Sequence, residues 1–221
     1  MREAFHDQLD SMFDDLSAIA GQVRLAVHDA SRALLTSDAA VAEAVISADR
    51  EIDRATEDVE EKAFAVLSLQ QPVAGDLRTV VAALRMVSEL ERMGDLSVHV
   101  AKIARLRVPE VAVPPEARPT VVRMATVAEE MVSRLVRIIG ERDVEAAVEL
   151  ELMDDEMDQL RVSTFSQLLV GDWNHGIEAA VDIALLGRYY ERIADHAASM
   201  ARRIIYVVTG EFPEDEFWPQ P

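Results

Sequence analysis

The chain lacks cysteine, which rules out disulfide staples and cysteine nucleophiles and fits a reducing compartment. It lacks any run of about 18 apolar residues, so no membrane-spanning helix is expected. Its start, MREAFHDQLD, lacks the apolar segment of a signal peptide. Basic residues are few: 22 Lys and Arg stand against 41 Asp and Glu, a formal net charge of −19. That balance argues against a nucleic-acid surface or direct binding to an anionic membrane, both of which need clustered cations. A cation or a basic partner surface is the more natural ligand. The GxSxG, GxxxxGK and HExxH motifs are missing, so nucleophilic, nucleotide and zinc-protease readings lack support. The one ExxH, Glu3 to His6, lies at the N-terminus and not on two central helices as in ferritin-like di-iron oxidases.

Half of the residues are hydrophobic, enough to bury a substantial core. They recur at spacings of three and four over long windows, while the eight glycines and eight prolines fall mainly at breaks. The pattern predicts helices over about 2–35, over 38–70 with Asp38 or Ser37 as cap, and up to 107 after the turn QQPVAGDLR. A fourth helix ends at Gly140, a fifth covers about 143–170, and a sixth follows the turn Gly171 to Gly176 and stops at Gly210. The expected organisation is all-α, two tandem three-helix bundles: residues 1–108, a Pro-rich linker 109–118, residues 119–210, and an acidic, Pro-containing, loose tail 211–221.

The halves repeat. LERMGDLSVHVAKIA and YERIADHAASMARRI each place a Glu and an Asp four residues apart, Glu91/Asp95 and Glu191/Asp195. The preceding helix of each half carries a matching pair, Asp49/Asp53 in DREID and Asp154/Asp158 in DDEMD. A repeat of this length decides how the fold is read. On a helical wheel Glu91 falls within the stripe Val80, Leu84, Val87, Gly94, Val98, with Asp95 at its edge. Glu191 sits likewise among Ala180, Ala184, Gly187, Ala194 and Ala198, whose small side chains leave room beside it. Asp49/Asp53 and Asp154/Asp158 flank the stripes of their own helices, so each bundle can bring four carboxylates towards one seam.

Four such acids repel one another and resist desolvation, so they are protonated, paired with Arg or Lys, or neutralised by metal. Arg50, Arg92, Arg161, Arg188 and Arg192 are at hand for pairing. Carboxylate oxygens suit hard or borderline cations such as magnesium, manganese or iron, with zinc also open, and can bridge two or more of them. His99, four residues after Asp95, and His196 are possible additional ligands. Trp173, in the turn before the sixth helix, reads as an anchor packed between helices or an exposed recognition loop.

PVAGDLR at Pro72 to Arg78, ELERMGDLSVHVAKIA at Glu89 to Ala104 and ERIADHAASMARRIIYVVTG at Glu191 to Gly210 resemble the paired signatures of the PhoU family, its actinobacterial members in particular. The resemblance implies six helices in two bundles, frequent dimers, and multinuclear metal clusters at E(D)xxxD motifs. Carried over by position, the ligands are Asp49, Asp53, Glu91 and Asp95, and Asp154, Asp158, Glu191 and Asp195. His99 stands where many members carry Asn. The resemblance further implies a cytosolic negative regulator of the phosphate-starvation response, at most peripheral at the inner face of the membrane. It would couple the ATPase subunit of the phosphate importer to a sensor histidine kinase and have no turnover of its own. Two other readings stay open from the residues: a metal-dependent carboxylate-cluster hydrolase or oxidase, and a helical scaffold whose acids are salt-bridged.

Overall fold

A computed structural model describes residues 2–169 and 173–211, and among them there are six helices and no strand. They are α1 (Arg2–Thr36), α2 (Ala39–Gln70), α3 (Ala74–Arg107), α4 (Arg118–Glu141), α5 (Val144–Leu169) and α6 (Gly176–Thr209). These bounds agree with the sequence reading to within a residue or two. Expectations for Val170, for the Gly171 side of the turn and for the tail 212–221 lie outside the described residues.

Local chemistry sets the helix ends. Asp38 is extended, and its carboxylate accepts from the backbone N–H groups of Ala40 and Val41, which starts α2. Pro119 occupies the first turn of α4, where a missing N–H costs no helical bond. Gly210, at φ 82°, closes α6 by donating its N–H to the Tyr206 carbonyl at 2.9 Å.

Within each half the three helices pack on one another, and the halves meet through α1 against α4 and α3 against α6. One hydrophobic core runs through both: Phe13, Leu34, Met86 and Leu90 from the first half join Met131, Leu135, Tyr190 and Met200 from the second. A smaller cluster of Leu9, Met12, Ala63, Val66 and Val80 closes one end of the first bundle.

Both seams are antiparallel. Along α1 and α4, Ser17 donates to the Val136 carbonyl at 2.9 Å, the Arg142 guanidinium lies 4.6 Å over the Phe13 ring, and Arg118 reaches the Leu35 carbonyl at the other end. Along α3 and α6, Arg107 pairs with buried Asp182 at 2.6 Å, His99 stacks on Tyr189, Glu89 meets His196, and Arg78 reaches the Val207 carbonyl. Buried Tyr190 and Ser31, 2.9 Å apart, tie α6 to α1. Trp173 packs against the core and donates its indole N–H to the Gly176 carbonyl, which favours the anchor role.

Candidate functional site

The small residues that suggested free space beside the acids are instead where helices touch. A methyl group on Gly94 would meet Ile52 Cδ1 at 3.3 Å and Asp49 Oδ1 at 3.4 Å; one on Gly187 would meet Thr164 Oγ1 at 2.9 Å. Glycine therefore draws α3 against α2 beside Asp49, and α6 against α5.

The structure brings the four acids of the first half together. Desolvation raises the Asp49 carboxyl above its usual value, and the charges of Asp53, Asp95 and Glu91 push it the same way against Lys102. Glu91 is raised by desolvation, then by Asp95, Asp53 and a fifth acid, Glu60, with Arg92 opposing. Among the described residues, none of Asp49, Asp53, Glu91 and Asp95 has an ion pair with Arg or Lys. Glu91 departs from the wheel reading in one respect, because it is exposed. Leu90, Met93 and Gly94 take the inward positions of α3, between α1, α2 and α6, which turns Glu91 outward at the α2 edge.

The second half differs. Its Glu191 is buried, 6% exposed, and is held by Arg188 on its own helix and by Arg161 of α5 at 3.5 Å. Desolvation and Asp195 raise its carboxyl all the same, against the two arginines. Asp195 pairs with Arg192 at 3.1 Å. Asp154 is pushed up to about 6 by desolvation and by the charges of Asp195 and Asp158, with Arg202 opposing. Asp158 stands exposed beside this group. The repeat in sequence thus becomes two unlike sites: among the described residues the first has no ion pair with Arg or Lys, only the more distant charges of Lys102 and Arg92, and the second is braced by arginines.

Oxygen-only donor sets of this kind fit a hard or borderline cation. The mutual repulsion at Asp49, Glu91 and Asp154 is the strain that a divalent ion would relieve. As the side chains stand, no three His, Asp or Glu among the described residues form a ready cage, so binding requires carboxylate rotamers to turn inward. The ligands would be Asp49, Asp53, Glu91 and Asp95 on α2 and α3, and Asp154, Asp158, Glu191 and Asp195 on α5 and α6.

The two histidines lie elsewhere in the site's chemistry. His99 is exposed and stacks on Tyr189, with ring centroids 5.2 Å apart. His196 is buried and its Nδ1 lies 2.5 Å from Glu89 Oε2, across the α3/α6 seam and not on an acidic pair. Ser199 and Arg203 also donate to Glu89, both at 3.3 Å. Sequence reasoning missed this network because its members are 107–114 residues apart and no spacing links them. Burial opposes ionisation of Glu89, but hydrogen bonds and charge from His196 and Arg203 outweigh it and hold the carboxyl below its usual value.

Against known proteins, the family profile described as PhoU domain matches residues 16–104 and again 121–204, once per half. The phosphate-specific transport system accessory protein PhoU homolog 1 of Mycobacterium leprae is 44% identical over 219 residues, covering 99% of both chains. PhoU homolog 2 of Mycobacterium tuberculosis is 44% identical over 213 residues, covering 96% of this chain and all of the other. Among solved structures, PhoU from Pseudomonas aeruginosa superposes with a TM-score of 0.88 at 27% identity, over 94% of this chain and 100% of that one. With one profile match per three-helix half, and relatives and a solved fold matching nearly from end to end, this chain belongs to the PhoU family.

Proposed function

We propose that the protein is an accessory regulator of phosphate uptake, acting from the cytosol as a negative regulator of the phosphate-starvation response. Its partners in this reading are the ATPase subunit of the phosphate importer and a sensor histidine kinase, and it works as a homodimer. The observation that carries the reading is the end-to-end match to relatives named as accessory proteins of phosphate-specific transport. Those names describe accessory proteins of a transport system and not enzymes, so the carboxylate-cluster hydrolase or oxidase is set aside. No helix among the described residues is long and apolar enough to cross a membrane, so contact with a membrane transporter runs through protein surfaces. A net charge of −19 favours fast, selective docking on basic patches of such partners.

Metal belongs to the same proposal, as a resident of the acidic pairs, with magnesium, manganese, iron and zinc all compatible in principle. When bound it would cancel the repulsion between facing helices. This chain's own residues then fix the angle of α2 against α3, through Asp49, Asp53, Glu91 and Asp95, and of α5 against α6, through Asp154, Asp158, Glu191 and Asp195. Affinity-tagged protein expressed in its own host is expected to co-purify with the importer's ATPase subunit at low salt and to lose it as salt rises. Recovery of neither the ATPase subunit nor the kinase, with the tagged protein folded and abundant, would remove the coupling role.

A further inference from the structure

Helix α5 is apolar on two sides. Inward it buries Ala147, Leu150, Met157 and Thr164. On the opposite side of the helical wheel stand Val148, Leu152 and Val162, which are 49%, 70% and 61% exposed, with exposed Asp155 and Gln159 between them. The repeat supplies an internal comparison for this face. Asp49 of α2 corresponds to Asp154 of α5, and the same offset carries Ala42, Val45 and Ile52 onto Ala147, Leu150 and Met157, buried in both halves. The outward places differ. Where α5 has Val148, Leu152 and Val162, α2 has Glu43, Ser47 and Glu57. The three-helix unit thus folds with polar residues at these places, so the apolar surface of α5 answers to something outside the unit.

Charge beside this face selects the occupant. Helix α5 carries seven acidic side chains and one basic one, Arg161, which is turned to Glu191 of α6 at 3.5 Å. Glu149, Glu151 and Glu156 are paired with Arg134, Arg202 and Arg123. Glu145, just before Val148, and Asp155, between Leu152 and Val162, are exposed and have no ion pair among the described residues. Apolar surface flanked by such carboxylates complements apolar surface flanked by Lys or Arg. A second copy seated here would set one acidic α5 against another and is repelled; an anionic bilayer is repelled likewise. We propose that the outward face of α5 docks a basic amphipathic helix of a partner protein, its apolar side chains on Val148, Leu152 and Val162 and its Lys or Arg side chains on Glu145 and Asp155. From Val148 to Val162 the stripe is about 21 Å long, so about four turns of the partner helix cover it. The proposal rests on the accessory-protein reading and gives its acidic docking surface a definite place.

The test uses the full chain and a fluorescein-labelled amphipathic peptide, Leu-Lys-Lys-Leu-Leu-Lys-Leu-Leu-Lys-Lys-Leu-Leu-Lys-Leu, followed by fluorescence anisotropy at about 150 mM salt. Its control has the same residues in an order that spreads leucine around the helix. Saturable binding of the amphipathic peptide is expected, with the control at least about tenfold weaker. Leu152→Ser and Val162→Glu, which follow Ser47 and Glu57 of α2, should each weaken binding by about tenfold or more. Val162→Glu adds an acid, so its loss of affinity cannot come from bulk attraction between a cationic peptide and an anionic protein. Ser47→Glu makes the same charge change on the outward face of α2 and should leave affinity within about twofold. Leu152 and Val162 are mostly exposed, so the variants should fold, and thermal melts check this. Indifference to Leu152→Ser and Val162→Glu, equal weakening by Ser47→Glu, or absence of saturable binding would overturn the proposal. A dimer in sedimentation that Leu152→Ser splits would give the face to a second copy, and flotation with phosphatidylglycerol vesicles that the same variant abolishes would give it to a membrane; either overturns it too. If the peptide fails to bind while gene deletion still releases the starvation response, the α5 face is wrong and the regulatory reading stands.

Discussion

Replacing Glu89 by alanine is expected to lower the unfolding free energy by about 3 kcal/mol, measured by urea denaturation at pH 7. Removing one partner of a buried charged pair costs about 3–5 kcal/mol because the other is left uncompensated. Glu89 and Arg203 are 17% and 18% exposed, which keeps the effect at the lower end. The loss is large for one residue because Glu89 of α3 holds His196, Ser199 and Arg203 of α6 at once, in the seam that joins the halves. The sign with pH follows from the depressed carboxyl. Its stabilisation is fully present above the unfolded value of about 4.5 and is lost as pH falls through the lower folded value. Glu89→Gln keeps the shape and loses the charge, so its stability should change less than the wild type's as pH falls below about 4.5. A Glu89→Ala loss under about 1 kcal/mol would mean that the Glu89 network does not hold the seam.

The second large effect is on metal. A cation at a hundred times its dissociation constant stabilises the native state by about 2.7 kcal/mol. For a chain of this size, that corresponds to a rise of roughly 5–10 °C in melting temperature. Manganese is expected to produce this rise, with the first half responding before the second. Among the described residues Asp49, Asp53, Glu91 and Asp95 have no arginine ion pair to displace, whereas Glu191 and Asp195 must give up Arg188, Arg161 and Arg192. Changing the first four to Asn or Gln should abolish the high-affinity response and raise the metal-free melting temperature, because repelling charges are removed. Asp154 gives the pH counterpart. Its folded carboxyl at about 6 lies above the unfolded value of 3.8, so folding favours its protonated form and stability falls as pH rises through this window. Asp154→Asn should flatten that fall, with a gain at pH 8 of about 1–2 kcal/mol after allowing for its partial exposure. Melting curves indifferent to manganese and to chelator would remove the metal reading, leaving the second cluster as salt bridges and the first as solvated acids.

The helices were legible because each is long, periodic and bounded by a local stop such as Asp38, Pro119 or Gly210. The repeat was legible because its acidic pairs recur in register. What the sequence hid is the relation between the halves. Glu89 with His196, and Arg107 with Asp182, lie 75–107 residues apart on helices whose antiparallel pairing no local pattern encodes. The wheel gave Glu91 and Glu191 the same inward place. Yet Glu91 ends at an exposed edge and Glu191 in a buried arginine clamp, because a wheel knows the helix's own periodicity but not how many neighbours it touches.

The measurement that tests the central claim most directly is deletion of the gene in its own host, followed with a phosphate-starvation reporter in phosphate-rich medium. The account predicts constitutive reporter activity, returned to silence by the wild-type gene. A reporter that stays silent in phosphate-rich medium and responds normally to starvation in the deletion strain would contradict it.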